Sequence, residues 1–198
     1  MAKTCFVIMP IGSQSFDGVE ISANDLKALY DDLIREAVEK AYKDLHKDPD
    51  EGLQVTRADE ISGPGVITAD IFERIADSDY VIADITFPNP NVFYELGLRH
   101  ATRSGTILLR KKNGPKPPFD VHVLRHIEYE DTSSGLKKLA EELTKSFKSY
   151  EEHPGRPDNQ FLRTAEPRFV LPPGGETYQV LQIGKDGKPV WDWVRAHG

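Results

Sequence analysis

Two acidic residues, Asp84 and Glu95, have the types and the spacing best suited to chemistry in this sequence. Asp84 lies near the end of the apolar run 80–85, and Glu95 follows a polar turn, in the predicted second turn of a helix. In an open α/β sheet, ligands bind outside the carboxyl ends of the strands. The sequence therefore predicts that both carboxylates lie beside a ligand crevice.

Each of these residues also has a structural explanation. Glu95 and Arg99 have the spacing of an exposed helical ion pair, which contributes ~0.3–0.5 kcal/mol. Asp84 can form an Asx-turn or cap that accepts hydrogen bonds from backbone N–H groups. Thr86 can serve as a turn hydroxyl or as a ligand donor. The residues alone leave these alternatives open.

The turn before Glu95 supplies further polar groups. The helix can begin with Asn89 as N-cap and Pro90 in the first position, or with Asn91 as the cap. We predict Asn89, Asn91 and Tyr94 as substrate-binding residues. Successive helical residues point about 100° apart, so at most one of Phe93 and Tyr94 faces the crevice, and core packing is the alternative for both.

Candidate binding residues also follow the first two predicted strands. Backbone N–H groups near Gly12, with the Ser13 or Ser15 hydroxyl, can hold one phosphate, although a plain surface loop explains them equally well. We also predict Pro10 as a substrate-binding residue. Arg57 and Asp59 end the second strand, where they can reach a ribose or phosphate. A solvated charge cluster is the alternative for that pair.

Several motifs are absent from the sequence. It contains no GxGxxG, no GxxxxGK[ST] and no GxSxG, so dinucleotide redox, P-loop and serine-hydrolase chemistry have no support. Apart from His122 and His126, which share a face if they belong to one strand, the histidines lack metal-ligand spacing. We predict that no cofactor and no metal is required.

Composition limits the partners and the compartment. The 198 residues carry a formal net charge of −7, which argues against nucleic acid or an anionic membrane as the main partner. The one cysteine, Cys5, lies in an apolar run and is expected to be buried in a reducing compartment. Because no signal peptide and no 18-residue apolar segment is found, we expect a cytoplasmic protein.

Short apolar runs alternate with segments of helical period, which is typical of βαβ units and a parallel sheet. We predict an α/β fold with a flavodoxin-like sheet of about five strands and helices on both faces. The predicted strands are Thr4–Met9, Leu53–Arg57, Tyr80–Ile85, Thr106–Arg110 and His122–Tyr129. The predicted helices cover about Asn24–Leu45, Ile67–Ser78, Asn91–Arg103 and Ser134–Tyr150.

The chain changes character after residue 150. Residues 151–198 begin with Pro- and Gly-rich segments, and Tyr178–Ile183 and Pro189–Val194 flank a turn sequence typical of a β-hairpin. We therefore predict one domain over residues 1–150 and a C-terminal extension over residues 151–198.

Residues 4–130 resemble the nucleoside 2-deoxyribosyltransferase-like superfamily, and more closely its bacterial branch of TIR-like nucleotide-binding proteins, many of them associated with antiphage defence. The resemblance is carried by Phe6-Val-Ile-Met-Pro-Ile-Gly, Arg57-Ala-Asp-Glu, Ile82-Ala-Asp-Ile-Thr, Asn89-Pro-Asn-Val-Phe-Tyr-Glu-Leu-Gly and His100-Ala. It implies a nucleotide, nucleoside or NAD as substrate and Glu95 as the nucleophile that attacks the sugar. It also implies a homo-oligomer in which a neighbouring subunit completes the pocket.

One departure from the transferase pattern bears on the chemistry. Those enzymes carry an aspartate in the turn before the nucleophile, where this chain has Asn89 and Asn91. A carboxamide can bind a base but cannot protonate it. The leading hypothesis is an enzyme that cleaves or transfers at an N-glycosidic bond, with Glu95 attacking and Asp84 orienting. The alternatives are a non-catalytic nucleotide-sensing module and a structural domain that binds a partner protein.

Overall fold

A five-stranded parallel sheet forms the centre of the protein. The computed structural model describes residues 2–47, 52–61, 67–164, 179–183 and 189–193. Its strands are β1 (Lys3–Ile8), β4 (Leu53–Arg57), β5 (Tyr80–Asp84), β6 (Thr106–Lys111) and β7 (His126–Tyr129). They lie in the order β4-β1-β5-β6-β7 with every neighbouring pair parallel, which is the predicted flavodoxin-like order.

Helices cover both faces of this sheet. One face carries a continuous helix made of α1, a π-helical segment and α2, together with α6; the other carries α3 and α4. The bounds are α1 (Ala23–Leu29), the π-helix (Tyr30–Arg35), α2 (Glu36–Leu45), α3 (Ile67–Asp77), α4 (Pro90–Thr102), α5 (Phe119–His122), α6 (Ser133–Glu152) and α7 (Gln160–Thr164).

The central strands alternate between two apolar cores. Along β1, Cys5 and Val7 belong to the core under α2 and α6, whereas Phe6 and Ile8 belong to the core under α3 and α4. This alternation follows from the two-residue period of a strand that is buried on both faces. Burial raises the pKa of the Cys5 thiol to about 12, as expected for a cysteine that acts as a small hydrophobic residue.

A β-hairpin replaces the loop predicted after β1. Strands β2 (Gln14–Phe16) and β3 (Val19–Ile21) pair antiparallel around Asp17 and Gly18, whose φ angles are 51° and 76°. Two central residues with positive φ match the type I′ turn, for which Asp-Gly is a favoured sequence. The turn signal was present, but the strands are short and their side chains mostly exposed, so they give no burial alternation.

The predicted strand His122–Tyr129 is too long. The strand β7 begins at His126, and the short helix α5 ends at His122. Val121 and Leu124 pack against the core under α3 and α4, and this packing takes the segment out of the sheet. The proposed shared face of His122 and His126 is therefore wrong, because the two residues do not belong to one strand.

The described part of the extension begins within α6, which ends at Glu152. Helix α7 was not predicted, and Asp158 just before it accepts hydrogen bonds from the backbone N–H groups of Gly105 and Thr106 at 2.9 and 2.8 Å. Strands β8 (Gln179–Ile183) and β9 (Pro189–Trp193) form the predicted antiparallel hairpin, although Tyr178 and Val194 lie outside the described residues.

No helix in the described ranges has the length and apolar character needed to cross a membrane.

Candidate functional site

The candidate site lies at the carboxyl edge of the sheet between β1 and β5. The chain passes from β1 to β4 on one side and later to β5 on the other, which makes this the switch point where flavodoxin-like folds bind ligands. The loops after the two strands are in contact, because Asn89 Nδ2 donates to Gln14 Oε1 at 3.0 Å. The β2–β3 hairpin is thereby attached to the start of α4.

Helix α4 begins with Asn89 as its N-cap. The Asn89 Oδ1 accepts from the backbone N–H groups of Asn91 and Val92 at 2.9 and 3.2 Å, and Pro90 takes the first helical position. With its Nδ2 on Gln14, both ends of the Asn89 carboxamide have protein partners. Asn91 is exposed, so of the two predicted carboxamides it is the more accessible to a ligand.

Asp84 lies beneath the crevice and accepts hydrogen bonds at both oxygens. Its Oδ1 accepts from the backbone N–H of Thr86 at 2.9 Å and from the Thr86 hydroxyl at 2.5 Å, and its Oδ2 accepts from the Tyr129 hydroxyl at 2.7 Å. The carboxyl is 2 % exposed, and this burial raises its pKa, whereas the hydrogen bonds from Thr86 and Tyr129 oppose the rise. This is the geometry of the Asx-turn alternative.

Thr86 links the turn to the neighbouring strand. Its hydroxyl, which donates to Asp84, accepts from the backbone N–H of Lys111 at 2.8 Å. Thr86 is buried, so its hydroxyl serves the turn rather than facing the solvent.

Glu95 differs from the other carboxylates of this edge. It is partly buried, and within the described ranges its carboxylate has no hydrogen-bond or ion-pair partner. Burial raises its pKa because removing water from a carboxylate disfavours the charged form. Glu95 is thus a half-buried carboxylate without a partner among the described residues, in the second turn of the helix that begins at this edge.

The ion pair considered between Glu95 and Arg99 does not form. Arg99 is fully buried, and its guanidinium donates to the backbone carbonyls at the end of α3 and beyond it. The acceptors are Ile75 (2.9 Å), Ala76 (3.4 Å), Ser78 (2.8 Å), Asp79 (3.3 Å) and Ser104 (2.8 Å). Arg99 therefore caps α3 and connects it to α4.

Arg57 is buried and forms an ion pair with Asp59, which stays exposed, so the solvated-cluster alternative describes Asp59 but not Arg57. The Arg57 side chain is 2 % exposed and binds Asp59 through two hydrogen bonds of 2.6 Å. Its guanidinium carbon lies 4.7 Å from the centre of the Tyr30 ring, and the Tyr30 hydroxyl donates to Glu60 at 2.8 Å. The hydrogen bond from Arg57 lowers the pKa of Asp59. Both members of the pair thus have protein partners.

The remaining predicted residues lie in the loop after β1 and on α4. Pro10 is buried, whereas Gly12 and Ser13 are exposed, and Ser13 Oγ accepts from the backbone N–H of Ala23 at 3.1 Å. Tyr94 is 60 % exposed, and its ring centre lies 5.9 Å from that of Phe72 on α3. The surface-loop alternative therefore describes Ser13, and Tyr94 is not a core residue.

Comparison with known proteins does not identify a family for this chain. No protein-family model and no curated protein matches the chain. Among solved structures it matches a 2-desoxiribosyltransferase from Leishmania mexicana with 16% sequence identity and a TM-score of 0.40, over 77% of this chain and 99% of that one. The likeness is too weak to assign a function.

Two contributors to the site were not identified from the sequence. Tyr129 lies 45 residues after Asp84 and donates to it from β7, and Gln14 joins the β2–β3 hairpin to Asn89. No sequence signal connects either residue to its partner. Within the described ranges, no cluster of three or more His, Cys, Asp and Glu residues could hold a metal ion.

Proposed function

We propose that this protein is an enzyme that breaks the N-glycosidic bond of a nucleoside, a nucleotide or NAD, with Glu95 as the nucleophile. The observation that carries the proposal is the unpaired, partly buried Glu95 carboxylate at the switch point of the sheet. Its loss of hydration favours nucleophilic attack, because an anion with fewer bound waters has less solvent to displace.

The chemistry follows the two-step pattern of retaining glycosidases. A Glu95 oxygen forms a bond to the anomeric carbon while the bond to the base breaks, and the base leaves with the electron pair. The base of an ordinary nucleoside then takes a proton from solvent, whereas the nicotinamide of NAD leaves as a neutral molecule and needs none. Water then attacks the glycosyl ester and releases Glu95 and the free sugar. A second base in place of water gives transfer instead.

Asp84 acts in this proposal as a positioning residue. Both of its oxygens accept hydrogen bonds from Thr86 and Tyr129, so it shapes the turn that leads into α4 and does not touch the reacting atoms. Because Asn89 and Asn91 provide no acid, the proposal favours hydrolysis of substrates whose base leaves readily, such as the nicotinamide of NAD, over exchange between ordinary bases.

The test is release of free base, followed by chromatography, from NAD and from a panel of nucleosides and nucleoside monophosphates. Glu95→Gln should lower the release by at least about 1,000-fold. The matched control is Glu141→Gln, since Glu141 is an exposed glutamate of α6 on the opposite face of the sheet and its loss should change nothing. Equal activity in the two variants would exclude Glu95 as the nucleophile.

The second candidate is a nucleotide-sensing, TIR-like module that signals through oligomerisation, with a role in antiphage defence. The carboxamides in place of an acid favour it, and so do the exposed Phe16 and Val19 of the β2–β3 hairpin, which can contribute to a subunit interface. Saturable nucleotide binding without base release, accompanied by a concentration-dependent change in mass, would support this candidate against the enzyme.

A further inference from the structure

A cavity lies at the amino edge of the sheet, opposite the carboxyl edge where α4 begins and Glu95 lies. It has a volume of about 600 Å³ and opens between the first residues of β6 and β7 and the last turns of α6. Strands β6 and β7 separate it from the carboxyl edge, which places it roughly 15 Å away at about 3.3 Å per residue. A volume of this size falls in the range of small-molecule sites.

Unpaired positive charge surrounds this cavity. Arg125, Arg156 and Arg163 line it, and none of their side chains has a hydrogen-bond or ion-pair partner within the described ranges. The one lining lysine, Lys145, is paired with Glu142. In a chain with a formal net charge of −7, three uncompensated guanidinium groups at one cavity indicate an anionic ligand.

The two lining acids, Glu142 and Asp158, are bound to other groups than these arginines: Glu142 is paired with Lys145. Asp158 accepts at Oδ2 from the backbone N–H groups of Gly105 and Thr106 and from the Tyr150 hydroxyl, and at Oδ1 from Asn159. Its carboxylate is thus used in attaching the start of α7 to β6. Asp158 stays bound to these donors and is not a partner for the arginines.

The cavity also has an apolar wall and a buried polar group to satisfy. Ile107, Leu124 and Ile127 contribute apolar surface, and Thr106 lines the cavity with a buried hydroxyl that has no hydrogen-bond partner among the described residues. Buried polar groups are rarely left unpaired. The lining therefore suits a ligand with an apolar or ring-shaped body and an anionic end.

We propose that this cavity binds a small organic phosphate, with Arg125, Arg156 and Arg163 on the phosphate and the apolar wall against the body of the ligand. Guanidinium groups match the geometry of phosphate oxygens and bind them through paired hydrogen bonds. The site is distinct from the crevice at Glu95 and does not depend on the function proposed for it.

Phenyl phosphate is the test probe, because it carries a ring and a phosphate but no glycosidic bond. Calorimetric titration of the full chain at low salt should show saturable binding, and phenol should not bind. The ring resonances of His126 and His153, which also line the cavity, should shift with phenyl phosphate. Combined Arg156→Gln and Arg163→Gln should weaken binding at least tenfold, whereas Arg74→Gln, at an exposed arginine of α3, should not.

A second pair of variants tests whether a loss of binding in the arginine variants could come from misfolding. Ser149 is an exposed residue of the lining, so Ser149→Glu adds a negative charge to the cavity and Ser149→Gln adds the same bulk without charge. Ser149→Glu should abolish binding, and Ser149→Gln should retain most of it. The proposal is overturned if phenyl phosphate does not bind, if phenol binds as well, or if Glu95→Gln removes the binding while the arginine variants keep it.

Discussion

Replacement of Arg99 by methionine is the sharpest test of how the site is built. Three of the guanidinium hydrogen bonds, to Ile75, Ser78 and Ser104, measure 2.9 Å or less. Hydrogen bonds to charged groups contribute about 1.5–3 kcal/mol each, and the low end gives about 4–5 kcal/mol for the three. Methionine also removes the cost of burying a charge, so we expect a net loss of about 3–5 kcal/mol.

That loss should be measured by urea denaturation followed by circular dichroism, and by calorimetry. At about 2–4 °C per kcal/mol for a chain of this size, Tm should fall by about 6–20 °C. The matched control is Arg103→Met, since Arg103 is exposed and makes one hydrogen bond of 3.1 Å to the Asp77 carbonyl. Its loss should change stability by no more than about 0.5 kcal/mol.

The alternative structure makes a different prediction. An exposed Glu95–Arg99 ion pair would contribute only ~0.3–0.5 kcal/mol, so Arg99→Met would then resemble the Arg103 control. A loss below about 1 kcal/mol would refute the buried cap, and with it the conclusion that Glu95 is unpaired. Burial lowers the pKa of Arg99 to about 10, so the side chain stays protonated at neutral pH and the assay is valid there.

Four further predictions concern the candidate site. Burial raises the pKa of Glu95, so the ionised carboxylate lowers the stability of the fold above that pKa and has no effect below the pKa of the unfolded chain. Glu95→Gln should therefore raise Tm at pH 7 and leave it unchanged at pH 3. A lower Tm of the variant at pH 7 would contradict the burial of Glu95. Base release should fall as pH drops through that raised pKa, since attack needs the ionised carboxylate, and a flat profile down to pH 4 would speak against it. Tyr129→Phe removes a hydrogen-bond donor to the buried Asp84 carboxyl and should cost about 1–3 kcal/mol of stability, measured by urea denaturation. A loss below about 0.5 kcal/mol would be inconsistent with this hydrogen bond. Gln14→Ala removes the hydrogen bond between the β2–β3 hairpin and Asn89. It should increase hydrogen exchange in β2 and β3 while β1 stays protected. Unchanged exchange in the hairpin would show that this hydrogen bond does not hold it in place.

The sheet was predictable because its signals are local. Each central strand is a short apolar run, each crossover contains a helix of clear period, and right-handed connections leave few possible strand orders. The β2–β3 hairpin was missed for the opposite reason. Its three-residue strands keep most side chains exposed, so no burial pattern marks them, and the Asp17-Gly18 turn was the only available sign.

The role of Arg99 illustrates a signal that was available but misread. Val92, Leu96 and Arg99 are spaced by four and three residues and form the buried stripe of α4. The same period that places apolar residues in a core thus placed the arginine there. The i, i+4 spacing from Glu95 suggested an ion pair, yet spacing alone does not decide which side of a helix faces the protein.

The pair Arg57–Asp59 could not have been assigned from the sequence. The burial of Arg57 depends on Tyr30, which packs against the Arg57 guanidinium and belongs to the π-helical segment of the first helix. A π-helix shifts the side chains that follow it relative to an α-helix, and no residue pattern in this segment predicts it. Arg57 therefore looked solvated from the sequence although it is buried, while Asp59 is exposed.

These contacts distinguish Glu95 from the other polar side chains near the start of α4. The side-chain polar groups of Asp84 and Asn89 have protein partners, and the terminal nitrogens of Arg99 bind backbone carbonyls. The turn and the start of α4 are therefore fixed, while Glu95 is partly buried without a partner. A glutamine there would avoid the cost of a desolvated charge. Proteins accept such a cost at functional sites, and nucleophiles are held by rigid surroundings, which is why we propose Glu95 as the nucleophile.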